Sequence, residues 1–292
     1  MCFFWGTTYL GIRVALESFS PAMLMCLRYS ISGGALLIGA LVRGARLPTP
    51  REAAFTAFYG LLTIAAGTGA LAYSEQWIPS GMASLFASLQ PFWLVSADAL
   101  GPAGERLHWP SIGGMLVGLA GVALLLAPGG SGQHVSTQAM LGGFFLMQLG
   151  GATWAVGSLA QRRLGGRAHP FVSGGVQQLA TGIAFAIPAL LDGHHENWNT
   201  KGMLAILYLA VFGGIVGYSA FIYSMQHLPV ALVSIYTYIN PMVAVALGWW
   251  FYNEPFGWRE TAAMIVIFAG VSIVKWTTSR SHRRAQASVP VE

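Results

Sequence analysis

Two amide side chains stand directly before prolines inside long apolar runs: Gln90 before Pro91 and Asn240 before Pro241. A proline removes one intrahelical hydrogen bond and so kinks the helix that contains it. An amide beside the break adds donors and acceptors at a depth where water is scarce. Aromatic residues accompany the amides. Trp5 and Trp154 fall in the middle of their runs, Trp93 and Tyr238 flank the prolines, and Tyr73 and Tyr223 sit nearer the ends. A deep tryptophan needs a partner for its indole N–H or a wet cavity to face. Ser88, Ser234, Gln148 and Gln177, with Thr153 and Thr237, supply polar groups at similar depth. The chemistry such a set offers is noncovalent: apolar walls for a side chain, and amides and hydroxyls for an ammonium and a carboxylate. Packing inside a helix bundle, with each amide bonded to a neighbouring helix, accounts for the same residues equally well.

Charges within apolar runs cost about 3 kcal/mol each on insertion scales. Arg13, Arg28 and Glu75 are the cases here. Arg28 corresponds to Gln177 and Glu75 to Met225 in an internal repeat described below, so the second copy lacks both charges together. This predicts a structural ion pair between Arg28 and Glu75, locking the second helix to the third rather than binding substrate. No carboxylate falls at mid-depth: Asp98 and Glu105 lie toward one face, Glu254 and Glu260 toward the other. That argues against carboxylate-mediated proton coupling and predicts movement down the substrate's own gradient. His169 and His227 fall at helix ends, as solvated residues do. His194 and His195 share a loop without further metal ligands, and Cys2 and Cys26 lie in apolar segments, so no metal, cofactor or disulfide is implied. There is no nucleophile with a base and no phosphate-binding loop, which excludes an enzyme and a nucleotide-driven pump.

The elements that must position these residues are written twice. Tyr73–Pro91 recurs 150 positions later as Tyr223–Pro241, with Tyr, Ser, Gln and both prolines in register. Around it the offset is 149: Trp5 corresponds to Trp154, Arg13 to Arg162, Pro21 to Pro170, Trp109 to Trp258 and Glu105 to Glu254. Only 9% of residues are charged and 55% are hydrophobic, so the chain is an integral membrane protein. Its basic residues sit in short runs between apolar segments, where membrane topology rather than nucleic acid accounts for them. Long apolar runs without period-2 alternation exclude a β-barrel. About 20 apolar residues cross a bilayer, and on that rule ten transmembrane helices are expected. They fall near 2–16, 21–42, 53–75, 81–99, 110–127, 139–161, 170–191, 202–225, 230–252 and 258–276. The first is short beside its counterpart, which predicts a natural chain that starts earlier.

With the N-terminus cytoplasmic, the inner loops and tail hold eleven Lys and Arg residues and the outer loops two, Lys201 and Arg259. Both termini are therefore expected in the cytoplasm. Five spans per copy is an odd number, so the copies enter the membrane from opposite sides. The expected fold is all-α, two inverted five-helix repeats at 1–127 and 139–276, followed by a basic cytoplasmic tail at 277–292 taken as disordered. Inverted repeats around a midplane site characterise secondary transporters; a passive pore is compatible with the same axis. Ten spans can enclose a cavity within a monomer. The partners implied are the lipid bilayer and a small-molecule substrate. Trp77, Trp198, Trp249, Trp250, Trp258 and Trp276 read as interfacial belt residues. Gly114, Gly118 and Gly121, with Gly113, read as a small-residue face packing the fifth helix on the tenth.

The two copies, the W-G and W-A pairs near their starts, Pro21 and Pro170, Pro91 and Pro241, and Glu105 and Glu254 resemble the EamA branch of the drug/metabolite transporter superfamily. Within it, the overall likeness is to YddG-type exporters. The resemblance implies ten helices, with the first, third, fourth, sixth, eighth and ninth around a central cavity. It further implies alternating access in a bacterial inner membrane, and export of aromatic and other neutral amino acids, with toxic organic cations or another small metabolite as alternatives.

Overall fold

Prolines and short polar caps start the helices. Ser20 precedes Pro21 and accepts from the Met23 amide, Thr49 precedes Pro50 in a capping box closed by Glu52, and Asn199 accepts from the Gly202 amide. At the first helical positions proline's missing N–H has no partner to lose, and its fixed φ suits the helix. The computed structural model describes residues 2–101, 108–126, 135–164, 169–192, 196–227, 236–254 and 256–287. Among them all regular structure is helical. The order is α1 (Cys2–Leu16), α2 (Pro21–Val42), α3 (Pro50–Gly60), π1 (Leu61–Thr68), α4 (Gly69–Ser74), α5 (Ser80–Ala87), α6 (Gln90–Leu100) and α7 (Trp109–Leu126). The second copy gives α8 (Thr137–Leu164), α9 (Pro170–Leu191), α10 (Thr200–Tyr208), π2 (Leu209–Gly217), α11 (Tyr218–His227), α12 (Tyr236–Tyr252) and α13 (Trp258–Ala287).

Seven helical stretches among the described residues are long and apolar enough to cross a membrane, three fewer than the ten expected spans. Two of the seven, Pro50–Ser74 and Thr200–Ser224, run unbroken through the π-wound stretches. The differences are local. α1 has 15 residues, α12 has 17, and the expected fourth span is divided into α5 and α6 by a turn at Ser88–Leu89. Pro91 therefore does not kink a continuous helix but begins a new one, within the first two residues of α6. Pro241 does lie inside a helix, α12. The tail departs from expectation as well: α13 continues to Ala287. Nothing between Lys275 and Ala287 breaks a helix, the next proline being Pro290.

Small residues set the closest packing. α2 lies along α9, where a Cβ on Gly33 would stand 2.5 Å from the Leu179 nitrogen and one on Gly182 2.8 Å from the Ser30 nitrogen. α7 lies along α13, with Gly114 against the Gly270 carbonyl and Gly121 against the Ala263 carbonyl. Gly113 faces open space and takes no part. α1 packs on α12 and on α10 and π2, while α8 packs on α6 and on π1. Two apolar cores result, one around Ile12, Phe19, Leu24, Ile206 and Leu209, the other around Phe86, Leu89, Phe92, Ile267 and Val271. Trp77, Trp198, Trp249, Trp250, Trp258 and Trp276 are exposed on the outside, as residues turned to lipid and its interface are.

Candidate functional site

The site is built where π-wound backbone passes beneath tryptophan. An i→i+5 winding is a local departure from the α-helix that is frequent at functional sites. Gly67 of π1 underlies Trp154, and a Cβ there would stand 2.9 Å from ring atom Cε3. Gly217 of π2 underlies Trp5, and a Cβ there would stand 2.5 Å from Nε1. Glycine and tryptophan exchange places between the copies, since Gly67 corresponds to Gly217 and Trp5 to Trp154. The Trp5 indole donates to the Gly213 carbonyl at 3.2 Å, which satisfies its N–H.

Between these pairs lies a cavity of about 130 Å³ with residues of both cores in its lining. Trp5 stands edge-on to Trp154 at 6.0 Å between centroids and lies 5.2 Å from both Phe221 and Tyr236. Amides form a second group, joining α6 of one copy to α8 of the other. Trp93 Nε1 donates to Gln148 Oε1 at 2.9 Å, Gln148 Nε2 to the Phe86 carbonyl at 3.3 Å, and Gln90 Nε2 to the Gly151 carbonyl at 3.1 Å. Gly151 allows this approach, because a Cβ there would stand 3.0 Å from Trp93 Cδ1. Aromatic faces and amides can hold an amphipathic molecule without covalent chemistry.

Of the residues predicted from sequence, Trp5, Ser88, Gln90, Trp93, Gln148, Trp154, Thr237, Asn240 and Pro241 line this cavity. Ser88 spends its hydroxyl hydrogen on the Leu85 carbonyl one turn back. Five others lie elsewhere, among them Thr153, which donates to the Gly150 carbonyl of its own helix. Tyr73 is half-buried and outside the lining. Gln177 is fully buried between Gly60 and Tyr218, whose hydroxyl donates to its Oε1. Tyr223 is exposed and stacks on His227 beside a separate cleft. Tyr238 packs on Phe268 and under the Lys275 ammonium. Ser234 lies outside the described residues, as do Glu105, His194 and His195. Sequence reasoning missed Thr8, Tyr9, Tyr29, Ser84, Tyr218 and Tyr236, all in the lining. Tyr236, two residues from the predicted Tyr238, presents the face that Tyr238 does not.

The ion pair expected between Arg28 and Glu75 is not made. Neither Glu75 carboxylate oxygen has a hydrogen-bond partner, and neither do Nε and Nη1 of Arg28. The Glu75 backbone carbonyl, not its carboxylate, accepts from Arg13 Nη1 at 2.7 Å. Arg28 instead lines the cavity, an addition from α2 to the helices implied by the resemblance.

The EamA-like transporter family model matches residues 1–127 and again residues 141–276. The chain belongs to this family. It is therefore a membrane transporter and not an enzyme. An uncharacterized inner membrane transporter of Escherichia coli strain K12, YedA, is 33% identical over 92% of this chain and 86% of its own length. A probable terminal-alkyne amino-acid exporter of Streptantibioticus cattleyicolor is 26% identical over 98% of this chain and 94% of its own length. A solved crystal structure shares the fold with a TM-score of 0.70 at 23% identity, covering 96% of this chain and 95% of that one.

Proposed function

We propose that this EamA-like transporter exports amino acids, aromatic and other neutral ones foremost, across a bacterial inner membrane by alternating access. In this reading ten spans form two inverted five-span repeats, with both termini cytoplasmic. The carrying observation is the exchanged pair of contacts at the cavity, Trp5 over Gly217 and Trp154 over Gly67. Two copies of one module meet there through equivalent groups, as a carrier that presents one site to either side requires. Helix pairing supports the same arrangement: α2 packs on its counterpart α9, α7 on its counterpart α13, and α1 on α12 as α8 packs on α6. The substrate class follows from a lining that joins aromatic rings to amides. A relative that spans nearly the whole chain is described as a probable amino-acid exporter, which favours the same class.

On the proposed orientation the polar contacts between copies gather on the outer side. Glu196 accepts from the Ser20 amide and hydroxyl at 2.9 and 2.8 Å, Asn199 Nδ2 donates to Ser18 Oγ at 2.9 Å, and Glu254 accepts from Ser80 and Gly81. In this reading those bonds hold the outer end together, as one of the two states that alternation needs would. The deciding experiment is counterflow in proteoliposomes with a panel of radiolabelled amino acids and organic cations. Saturable uptake driven by unlabelled amino acid inside is the expected result. Flux that rises linearly with concentration and shows no counterflow identifies a pore and ends the carrier reading.

A further inference from the structure

Arg28 is 3% exposed, it lines the cavity, and its Nε and Nη1 atoms have no hydrogen-bond partner. A guanidinium withdrawn from water without an anion is costly, and in a membrane protein an uncompensated intramembrane charge marks a substrate or ion path. No side chain around it supplies a hydrogen-bonded anion. Glu75 is the carboxylate that sequence pairs with it, and that carboxylate is bonded to nothing. The Tyr29 ring lies 4.8 Å from Arg28 Cζ and offers only its face. A cation over an aromatic face gains about 0.5–2 kcal/mol, less than a paired carboxylate gives.

Gly213 fixes where the guanidinium stands: Nη2 is packed against this residue, which leaves Nε and Nη1 as the nitrogens without a partner. A Cβ at that glycine would stand 2.5 Å from Arg28 Nη2, and the Gly213 carbonyl accepts the Trp5 indole N–H. The guanidinium and the Trp5 ring thus meet at one residue of π2. An anionic group held by Arg28 has an aromatic wall one residue away. Guanidinium and carboxylate match in planar, two-point geometry.

We infer that Arg28 is the receptor for the substrate's carboxylate, an inference that rests on the amino-acid reading above and narrows it. Substrates that carry a carboxylate beside an aromatic or large apolar group are then preferred, and organic cations without one are poor ligands. The receptor belongs to one copy only, since the counterpart Gln177 is outside the lining and spends its Oε1 on the Tyr218 hydroxyl.

Four probes that differ by one group test this by calorimetric titration of the purified full chain in lipid nanodiscs: L-phenylalanine, L-phenylalaninamide, 3-phenylpropanoate and phenethylamine. Phenylalanine is expected to bind about tenfold or more tightly than its amide, and phenylpropanoate more tightly than phenethylamine, the scale of a lost charge-assisted hydrogen bond. R28Q is expected to bring phenylalanine down to the level of the amide, with R28K between. The wild-type comparison stands even where R28Q does not fold. Equal binding of phenylalanine and its amide overturns the role of Arg28 and leaves the amino-acid reading intact. Binding of phenylpropanoate without phenylalanine keeps Arg28 as a carboxylate receptor and ends the amino-acid reading. Failure of all four ends both.

Discussion

At the scale of single residues, the glycines beneath the tryptophans decide the shape of the cavity. G217A places a methyl 2.5 Å from Trp5 Nε1, and G67A places one 2.9 Å from Trp154 Cε3. The nearest contacts are with side chains, so the indoles swing first; in G217A the methyl also stands 2.9 Å from the Phe212 backbone carbonyl, so π2 itself must adjust. In G217A the bond to the Gly213 carbonyl goes with the Trp5 indole. Each variant is expected to assemble normally and raise the half-saturating substrate concentration about tenfold, or 1.4 kcal/mol. Size-exclusion profiles and counterflow on the same preparations check this. E75Q gives the opposite outcome: the carboxylate makes no hydrogen bond to Arg28 and is outside the cavity lining, so thermal stability and transport are expected to stay at wild-type level. A locked ion pair would make that change harmful. These residues also mark how far sequence reaches. Depth along a span could be read, which is why Trp5, Trp154, Gln90 and Asn240 are in the cavity. Facing could not, because helices apolar on all sides leave no stripe to orient them. Tyr73, Gln177, Tyr223 and Tyr238 sit at readable depths on helix faces turned away from it.

At the scale of elements, the ends hold each other with few but specific bonds. The Glu254 carboxylate accepts the Ser80 amide and hydroxyl and the Gly81 amide, so the first turn of α5 is capped from beyond the end of α12. E254A leaves those amides unsatisfied beneath the surface and is expected to cost about 1–3 kcal/mol, read as a lower midpoint of thermal unfolding in detergent. Glu17, just past α1, is held by Lys201 of α10 at 2.6 Å and by the Tyr252 hydroxyl of α12. Burial pushes its carboxyl up, but the bonds from Lys201 and Tyr252 together outweigh burial and leave it below its ordinary 4.5. The contact is thus at full strength at neutral pH and is lost as the pH falls through that lowered value. The protection of amides around residues 197–202 against hydrogen exchange, taken relative to the intrinsic rate at each pH, is expected to fall on acidification in the wild type and to be low at every pH in E17A. At 39% exposure Glu17 is screened by solvent, so the effect is local opening and not unfolding. The caps at Ser20 and Thr49 were not read from the sequence, although each is a hydroxyl residue directly before a proline. The π-wound stretches were not read either. Nothing in the composition of Leu61–Thr68 or Leu209–Gly217 separates an i→i+5 winding from an ordinary apolar helix; the tryptophans packed from the other copy reveal it.

At the scale of the whole molecule, the question is whether the halves move against each other. In the proposed orientation the outer ends are joined across the copies by Lys201 on Glu17, Asn199 on Ser18 and Glu196 on Ser20, all between residues 17–20 and residues 196–201. A carrier that opens outward must part these contacts, while a pore need not. Cysteines at positions 17 and 201, in a background with Cys2 and Cys26 replaced by serine, joined by a short bismaleimide, test this without relying on disulfide geometry. In the alternating-access reading the crosslinked protein still binds substrate from the side already open, but counterflow stops. The same double-cysteine protein left uncrosslinked transports normally. Retained counterflow after complete crosslinking means that the outer ends stay together throughout the cycle. The exchanged pairs at Trp5 and Trp154 would then be a relic of duplication, packed for stability alone, rather than the two positions of a moving site.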